Sequence, residues 1–271
     1  MKKENLGKIQ AKLDLMTRKR WFFLFFILLQ FVPPYASKGY ELPEWGFVVG
    51  DIMRHGFIFS CSQLYPIFKV IPIILIISII FLKNKVVRAF SIYGGITYIL
   101  FAFLQLIGIS EKYGLGIMVS TFIMFLIVAT FWFWEVIVKE NDFTPRKKPA
   151  WKYWVAPLAF LAFWFPLNPD TLMPDFNPAY LVTNSAGLAF CLMTPVYLAI
   201  LSLYYPRVNM VTLRVTSLVG VIIAFYNMLN FLSPKGWWLG ILHIPLLTIS
   251  IFCLVISLRK KPLEETKIVF V

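Results

Sequence analysis

The chain has 271 residues, of which 59% are hydrophobic and only 14% charged, and its mean hydropathy is +0.76. A soluble domain carries about a quarter charged residues, so this composition excludes an ordinary water-soluble globule. The net charge of +13 would suit a nucleic-acid binder, but the basic residues cluster at the ends of long apolar runs, where they determine membrane topology. We therefore expect an all-α, polytopic transmembrane helix bundle that contacts the lipid bilayer and no nucleic acid.

Residues 1–20 are strongly basic, and Leu6, Ile9, Leu13 and Met16 recur at helical spacing. This pattern predicts a short amphipathic cytoplasmic helix on the membrane surface, with a frayed basic tail as the alternative. The apolar run that follows is interpreted as a membrane helix rather than a signal peptide. It ends in Pro33-Pro34 and lacks a small-residue cleavage site.

Eight apolar runs are each predicted to cross the membrane once. They cover residues 21–37, 67–82, 89–109, 116–138, 153–167, 179–204, 211–232 and 236–258. Runs 67–82 and 153–167 fall short of the roughly 20 residues that a crossing helix needs. Pro195 is expected to interrupt run 179–204. Together the runs form a single transmembrane domain, 21–258, followed by a cytoplasmic tail, 259–271.

The distribution of Lys and Arg predicts the orientation of these helices. With residue 1 in the cytoplasm, 21 of the 26 basic residues fall on the cytoplasmic side of eight crossings. The five on the outer side are Lys38, Arg54, Lys69, Lys112 and Lys235. Such a bias predicts a multi-pass protein of the cell membrane with both termini in the cytoplasm. The outer segment 38–66 is too apolar for a free loop, and an interfacial helix and a re-entrant segment are both open.

The stretch 226–245 is the strongest candidate for a site, because it places polar side chains between two apolar runs. If Pro234 is the tip of a helical hairpin, Asn227 and His243 lie at similar depth, roughly 10–14 Å below the outer surface. Asn227 or Asn230 would then hydrogen-bond His243 and staple the hairpin. Alternatively, the same group forms the floor of an outward-facing polar pocket.

Further polar residues in the outer halves of other predicted helices could join this pocket. They are Gln30, Gln105, Asn184 and, one level deeper, Tyr98. Glu135 is the one carboxylate inside a predicted membrane-crossing helix. It forms either an i,i+4 ion pair with Lys139 or a site for a proton or cation.

Cofactor and catalytic motifs are not found. The three cysteines, Cys61, Cys191 and Cys253, are an odd number without C-x-x-C spacing, which predicts neither a disulfide framework nor a zinc site. A haem would require both His55 and His243 as ligands, and His55 lies outside the predicted helices. No nucleotide-binding, zinc-protease or serine-hydrolase motif occurs, so we expect no metal and no cofactor, and we assign no catalytic residue.

Three functions follow from these patterns. The first is a non-catalytic subunit or accessory component of a membrane assembly, with a membrane protein or a second copy of the chain as partner. The second is a permease that carries a neutral or weakly polar solute through the outer-half pocket. The third is a lipid-processing enzyme that uses His243 or His55 as a general base.

Overall fold

The computed structural model describes residues 3–147, 149–169, 171–232 and 236–259. These residues fold mostly into helices, as predicted. The α-helices, in chain order, are α1 (Lys3–Thr17), α2 (Arg20–Leu29), α3 (Trp45–Arg54), α4 (Tyr65–Leu82), α5 (Val87–Gln105), α6 (Val119–Val138), α7 (Val155–Trp164), α8 (Tyr180–Thr183), α9 (Phe190–Leu203), α10 (Met210–Asn227) and α11 (Trp237–Leu258). The predicted hairpin tip, Pro234, and the tail beyond Arg259 lie outside the described residues.

Within the described part of the chain, four helical segments are long and apolar enough to cross a membrane, and a bent pair would make a fifth. The four segments are Phe57–Gln105, Val119–Val138, Met210–Leu232 and Trp237–Leu258. The first contains both α4 and α5, which a 3-10 turn joins. The predicted count of eight crossings is therefore not confirmed. α2 and α7 have 10 residues each, and such a helix extends only about 15 Å.

A small antiparallel sheet departs from the all-α prediction. Its strands are β1 (Tyr35–Ala36), β2 (Ile107–Ser110) and β3 (Gly114–Ile117), in the order β1-β3-β2. Sequence patterns assigned most of these residues to helix ends, because two to four alternating residues cannot be told from a fraying helix. α2 ends at Leu29, and Pro33-Pro34 then leads the chain directly into β1.

The segment 38–66 folds against this sheet. α3 packs on it through Ile52, which is 2% exposed. Gly108 and Gly116 of the sheet lie so close to α3 that a Cβ at either position would overlap its atoms. We call α3 and the sheet the sheet end of the molecule.

The predicted helix 179–204 is broken, and its break is not at Pro195. α8 and a 3-10 turn, Ser185–Leu188, are bent by 94° from α9. Pro195 lies inside α9. Asn184 and Ala189, which flank the 3-10 turn, have extended backbones with ψ of 169° and 121°. We call residues 184–189 the helix break.

The opposite end of the molecule gathers the basic connections of the chain. α1 crosses the end of α6 and the start of α10, and Arg18 donates to the carbonyl oxygen of Leu258 at the end of α11 (2.8 Å). Asp142 pairs with Arg207 and accepts a hydrogen bond from Asn84, so three separate connections meet. We call α1 and these connections the basic end.

Candidate functional site

Buried polar groups from several helices converge at the helix break. α7 ends beside it, and the last carbonyl groups of a helix have no partner within that helix. The amide nitrogen of Asn184 donates to the carbonyl oxygens of Trp164 (2.8 Å) and Phe165 (3.2 Å). The Nζ atom of Lys69, on α4, donates to the carbonyl oxygen of Phe163. The two side chains therefore cap α7, and the positive charge of Lys69 also suits the negative end of the helix dipole.

Lys69 is fully buried, although the sequence suggested a basic residue on the outer side. Its ammonium lies 4.1 Å from the centroid of the Phe163 ring. Among the described residues, no carboxylate forms an ion pair with it. Gly187 packs directly on the backbone of Phe68 and Lys69, so the helix break is held tightly against α4. An intramembrane charge of this kind is a functional candidate by default.

Four of the seven predicted pocket residues lie at the helix break or contact the first turns of α9. Asn184 is part of the break itself, where its side chain also accepts from the backbone N–H of Ala186 (3.1 Å). The side-chain oxygen of Gln105 accepts from the backbone N–H of Phe190 (2.8 Å). Asn227 and Tyr98 contact Cys191 and Thr194, which lie on the first two turns of α9.

The Tyr98 hydroxyl lies 3.0 Å from the Oγ1 atom of Thr194, and either atom can donate. Asn227 donates to the Cys191 Sγ atom at 3.4 Å and to the carbonyl oxygen of Ile223 at 2.9 Å. Gln105, Tyr98 and Asn227 thus all contact the start of α9.

The other three predicted residues form local hydrogen bonds elsewhere. His243 bonds through Nδ1 to the carbonyl oxygen of Leu239 (2.6 Å), one turn earlier on α11. Asn230 donates to the carbonyl oxygen of Asn227 at 2.9 Å. Gln30 donates to the Sδ atom of Met124 at 3.2 Å. Among the hydrogen bonds of the described residues, none joins Asn227 or Asn230 to His243. A pocket shared by all seven residues stays a prediction.

Glu135 lies at the basic end, where its carboxylate is 1% exposed. Its oxygens accept from the backbone N–H groups of Asn141 (2.8 Å) and Glu140 (3.3 Å) and from the side chain of Asn209 (2.8 Å). The expected ion pair with Lys139 is not among the ion pairs of the described residues; Lys139 instead ends α6 with a φ of 57°. Glu135 therefore holds the connection that follows α6.

Asn209 and Gln10 connect this carboxylate to α1. The side-chain oxygen of Asn209 accepts from the Gln10 amide (3.0 Å), and it also caps the start of α10. Gln10 donates to Glu140 as well (2.8 Å) and accepts from the Trp134 indole (2.6 Å). These bonds order α1, α6 and α10 relative to one another.

Arg214 is the second buried cation that sequence analysis missed. It is fully buried, and its guanidinium donates to the Asp14 carboxylate (2.9 Å), the Thr17 hydroxyl (2.6 Å) and the Ser257 carbonyl oxygen (2.7 Å). Burial opposes ionisation of Asp14. The hydrogen bonds and charges of Arg18 and Arg214 outweigh that effect and hold the pKa of Asp14 below its usual value.

Both missed cations had a visible signal in the sequence. Lys69 and Arg214 lie two or three residues inside the predicted helices 67–82 and 211–232, yet they were counted as charges of the flanking connections. A lysine or arginine near the end of a membrane helix usually extends toward water. Here each side chain instead turns into the bundle and bonds to a helix end.

The described residues contain no group of three or more His, Cys, Asp and Glu side chains that could hold a metal ion. Comparisons of the chain with protein-family models, with curated proteins and with solved structures gave no match.

Proposed function

We propose that the chain is an eight-pass protein of the cell membrane that acts as a non-catalytic subunit of a larger membrane assembly. In this proposal α4 forms the contact with a transmembrane helix of the partner. The observation that carries it is the exposed face of α4.

Seven large apolar side chains of α4 are between 40% and 75% exposed. Five of them follow the alternating spacing of three and four residues that two packed helices share, and these are Ile67, Val70, Ile74, Ile77 and Phe81. The other two, Ile80 and Leu82, flank Phe81 at the end of the helix. Only three of the 18 side chains of α4 are buried. This regular stripe runs along the whole helix.

α4 also belongs to the least covered of the four long segments. In the most apolar 18-residue stretch of Phe57–Gln105, 17% of the residues are buried, whereas the corresponding share in the other three segments is 39–50%. Any of these helices can face lipid tails, but a second helix packs best on a long regular stripe. The low coverage together with the spacing supports a partner helix on α4.

The eight-pass arrangement is supported by the gathering of the basic connections. The connections before α5, after α6 and before α10 meet at the basic end, together with α1. They are the segments that charge counting assigns to the cytoplasm. In the proposal, α2, α7 and the bent pair α8–α9 complete their crossings with the irregular segments that adjoin them.

The test is recovery of a partner after mild detergent extraction. We expect a stoichiometric partner with the unaltered protein, and at least about tenfold lower recovery with the double variant Ile74→Ala/Ile77→Ala, which removes apolar contact from the stripe. The matched control is Ile251→Ala/Val255→Ala on α11, where both side chains are similarly exposed.

A monodisperse monomer in mild detergent would contradict the proposal, as would equal loss in the control. Recovery of a second copy of this chain alone, lost in the α4 variant, would identify the partner as the chain itself.

A permease is the second candidate, and the helix break favours it. Interrupted helices with exposed backbone groups and a nearby charge form the substrate sites of many membrane transporters. Uptake of small neutral solutes by liposomes that contain the pure protein alone would establish this function. Loss of uptake in Asn227→Ala and Asn184→Ala, with unchanged melting of the protein, would place the pathway at the break.

A further inference from the structure

A cleft of about 530 Å³ lies at the basic end, between one face of α1 and the start of α10. Gln10, Asp14 and Arg18 form its α1 wall at intervals of four residues, so neighbours lie one turn, about 6 Å, apart. Glu140 and Met210 also line the cleft. Its volume is within the usual range for small-molecule sites, about 300–1,000 Å³.

The cleft contains a positively charged donor and a negatively charged acceptor that form no hydrogen bond with the described residues. Arg18 donates from Nε to Asp14 (2.9 Å) and from Nη1 to Leu258 (2.8 Å), and its Nη2 has no acceptor among the described residues. Glu140 accepts from Gln10 through Oε2 (2.8 Å), and its Oε1 has no donor there. As far as the described residues go, an open cationic donor and an open carboxylate oxygen thus line one cleft, together with Asp14.

The cleft lies where long apolar helices end, and in a bilayer this is the level of the lipid headgroups. Met210 is the first residue of α10, and Glu140 follows α6 by two residues. Arg18 binds the carbonyl of Leu258, the last residue of α11. Three of the long apolar segments therefore end around the cleft. Leu15, which also lines it, is 64% exposed and extends an apolar surface from its edge.

We infer that this cleft binds the headgroup of a zwitterionic phospholipid with a primary ammonium, such as phosphatidylethanolamine. The phosphate lies on the open donor of Arg18, and the ammonium donates to Glu140. An anionic lipid would place its phosphate on Arg18 as well, but it has no ammonium to donate to Glu140, whose carboxylate would then face the phosphate unpaired. A choline headgroup has no N–H to donate, and the described residues that line the cleft include no aromatic side chain to hold it.

The test is thermal unfolding of the full chain in detergent micelles with added lipid. We expect phosphatidylethanolamine to raise Tm, and phosphatidylcholine and phosphatidylglycerol at the same mole fraction to raise it less, because only bound ligand shifts the folding equilibrium. Soluble phosphoethanolamine should have little effect, since it lacks the apolar part that Leu15 and Met210 contact.

Glu140→Gln is the test variant, and Glu4→Gln is its matched control. Glu140→Gln removes the charge but keeps an acceptor for Gln10, and we expect about tenfold weaker apparent affinity for phosphatidylethanolamine. Glu4 lies on α1, where it pairs with Lys8 in solvent, and it does not line the cleft. Its substitution should leave the lipid effect unchanged.

Three results would overturn the inference. They are equal stabilisation by phosphatidylglycerol, equal loss in both variants, and a full effect of soluble phosphoethanolamine. The comparison of lipids on the unaltered protein decides the matter even if Glu140→Gln fails to fold.

Discussion

Arg214 and Lys69 place positive charge inside the bundle with different partners. Arg214 has a carboxylate, a hydroxyl and a helix-end carbonyl, whereas the described partners of Lys69 are a carbonyl and an aromatic ring. A buried charge is costly unless it is paired and hydrogen-bonded. The two residues are therefore the positions where single substitutions should have the largest effects.

We expect Arg214→Ala to lower the free energy of unfolding by about 2–4 kcal/mol. The substitution leaves the Ser257 carbonyl without its donor and Asp14 without its buried partner. We place the effect below that of a fully buried pair, because the Asp14 side chain is 32% exposed and solvent screens its charge. Thermal unfolding in detergent measures the effect, with the exposed Arg20→Met as control.

Asp142 should make stability depend on pH only in strong acid. Burial raises its pKa, but the hydrogen bonds of Thr144 and Asn84 and the charge of Arg207 hold it at about 2, below the usual 3.8. A lowered pKa stabilises the fold above pH 3.8, and the contribution is lost as the pH falls through about 2. Because the side chain is about a third exposed, the contribution is on the order of 1 kcal/mol.

The measurement compares Asp142→Asn with the unaltered protein at neutral pH and near pH 2. We expect the difference in unfolding free energy at neutral pH to disappear in acid. Glu111→Gln, an exposed carboxylate at the other end of the molecule, is the control. A difference that persists unchanged at pH 2 would show that the charge of Asp142 is not responsible.

The sequence was informative about residue type but not about hydrogen-bond partners. It singled out Gln105, Tyr98, Asn184 and Asn227 as polar groups among apolar neighbours, and the structure brings these four to one region. It could not show that Lys69 and Asn184 cap the end of α7. Those contacts join residues about 20 to 94 positions apart, and they depend on how the helices are arranged.

At the scale of elements, the helix break depends on close packing at Gly187. A Cβ at this position would overlap the carbonyl oxygen of Phe68 and lie 3.1 Å from the backbone nitrogen of Lys69. Both contacts are backbone atoms of α4, which cannot move away as a flexible side chain can. Gly187 therefore sets how closely the 3-10 turn approaches α4.

We expect Gly187→Ala to lower the free energy of unfolding by about 1–3 kcal/mol, because it forces the turn and α4 apart. Gly7→Ala is the matched control. Nothing lies within 4 Å of its Cβ position, and alanine favours a helix by up to about 1 kcal/mol. Opposite signs of the two changes in Tm would agree with the structure. Destabilisation by both would not.

Turn residues located helix ends only approximately. Pro33-Pro34 indicated an end to the first run, 21–37, but α2 already ends at Leu29. The break at Asn184 was missed because Pro195 is the more obvious breaker. The proline is accommodated inside α9, whereas Asn184 bonds its own backbone two residues on and so favours a turn.

At the scale of the whole molecule, the proposed eight crossings place Lys85 in the cytoplasm and Glu111 outside. We expect a cysteine at Glu111, in a chain whose native cysteines are replaced, to react with an impermeant maleimide in intact cells. A cysteine at Lys85 should react only after the membrane is opened. Equal labelling of both positions in intact cells would contradict a crossing by α5.

Membrane class and helix content followed from composition because hydropathy is a property summed over many residues. The sheet end did not, since it depends on pairing between segments about 80 residues apart in sequence. The stripe on α4 lay within an almost uniformly apolar run, so only packing could reveal which side is exposed.

The contacts of α1 have a consequence for the order of assembly during synthesis. Asp14 leaves the ribosome 200 residues before Arg214, and Arg18 leaves it 240 residues before Leu258. Synthesis proceeds at about 5–20 residues per second, so roughly 10–50 s pass between the synthesis of α1 and that of the residues it binds. Its docking joins the start of α10 to the end of α11 at the basic end. Protection of α1 from a protease therefore reports that the last helix has been inserted, and chains stopped before α11 should remain open to cleavage there.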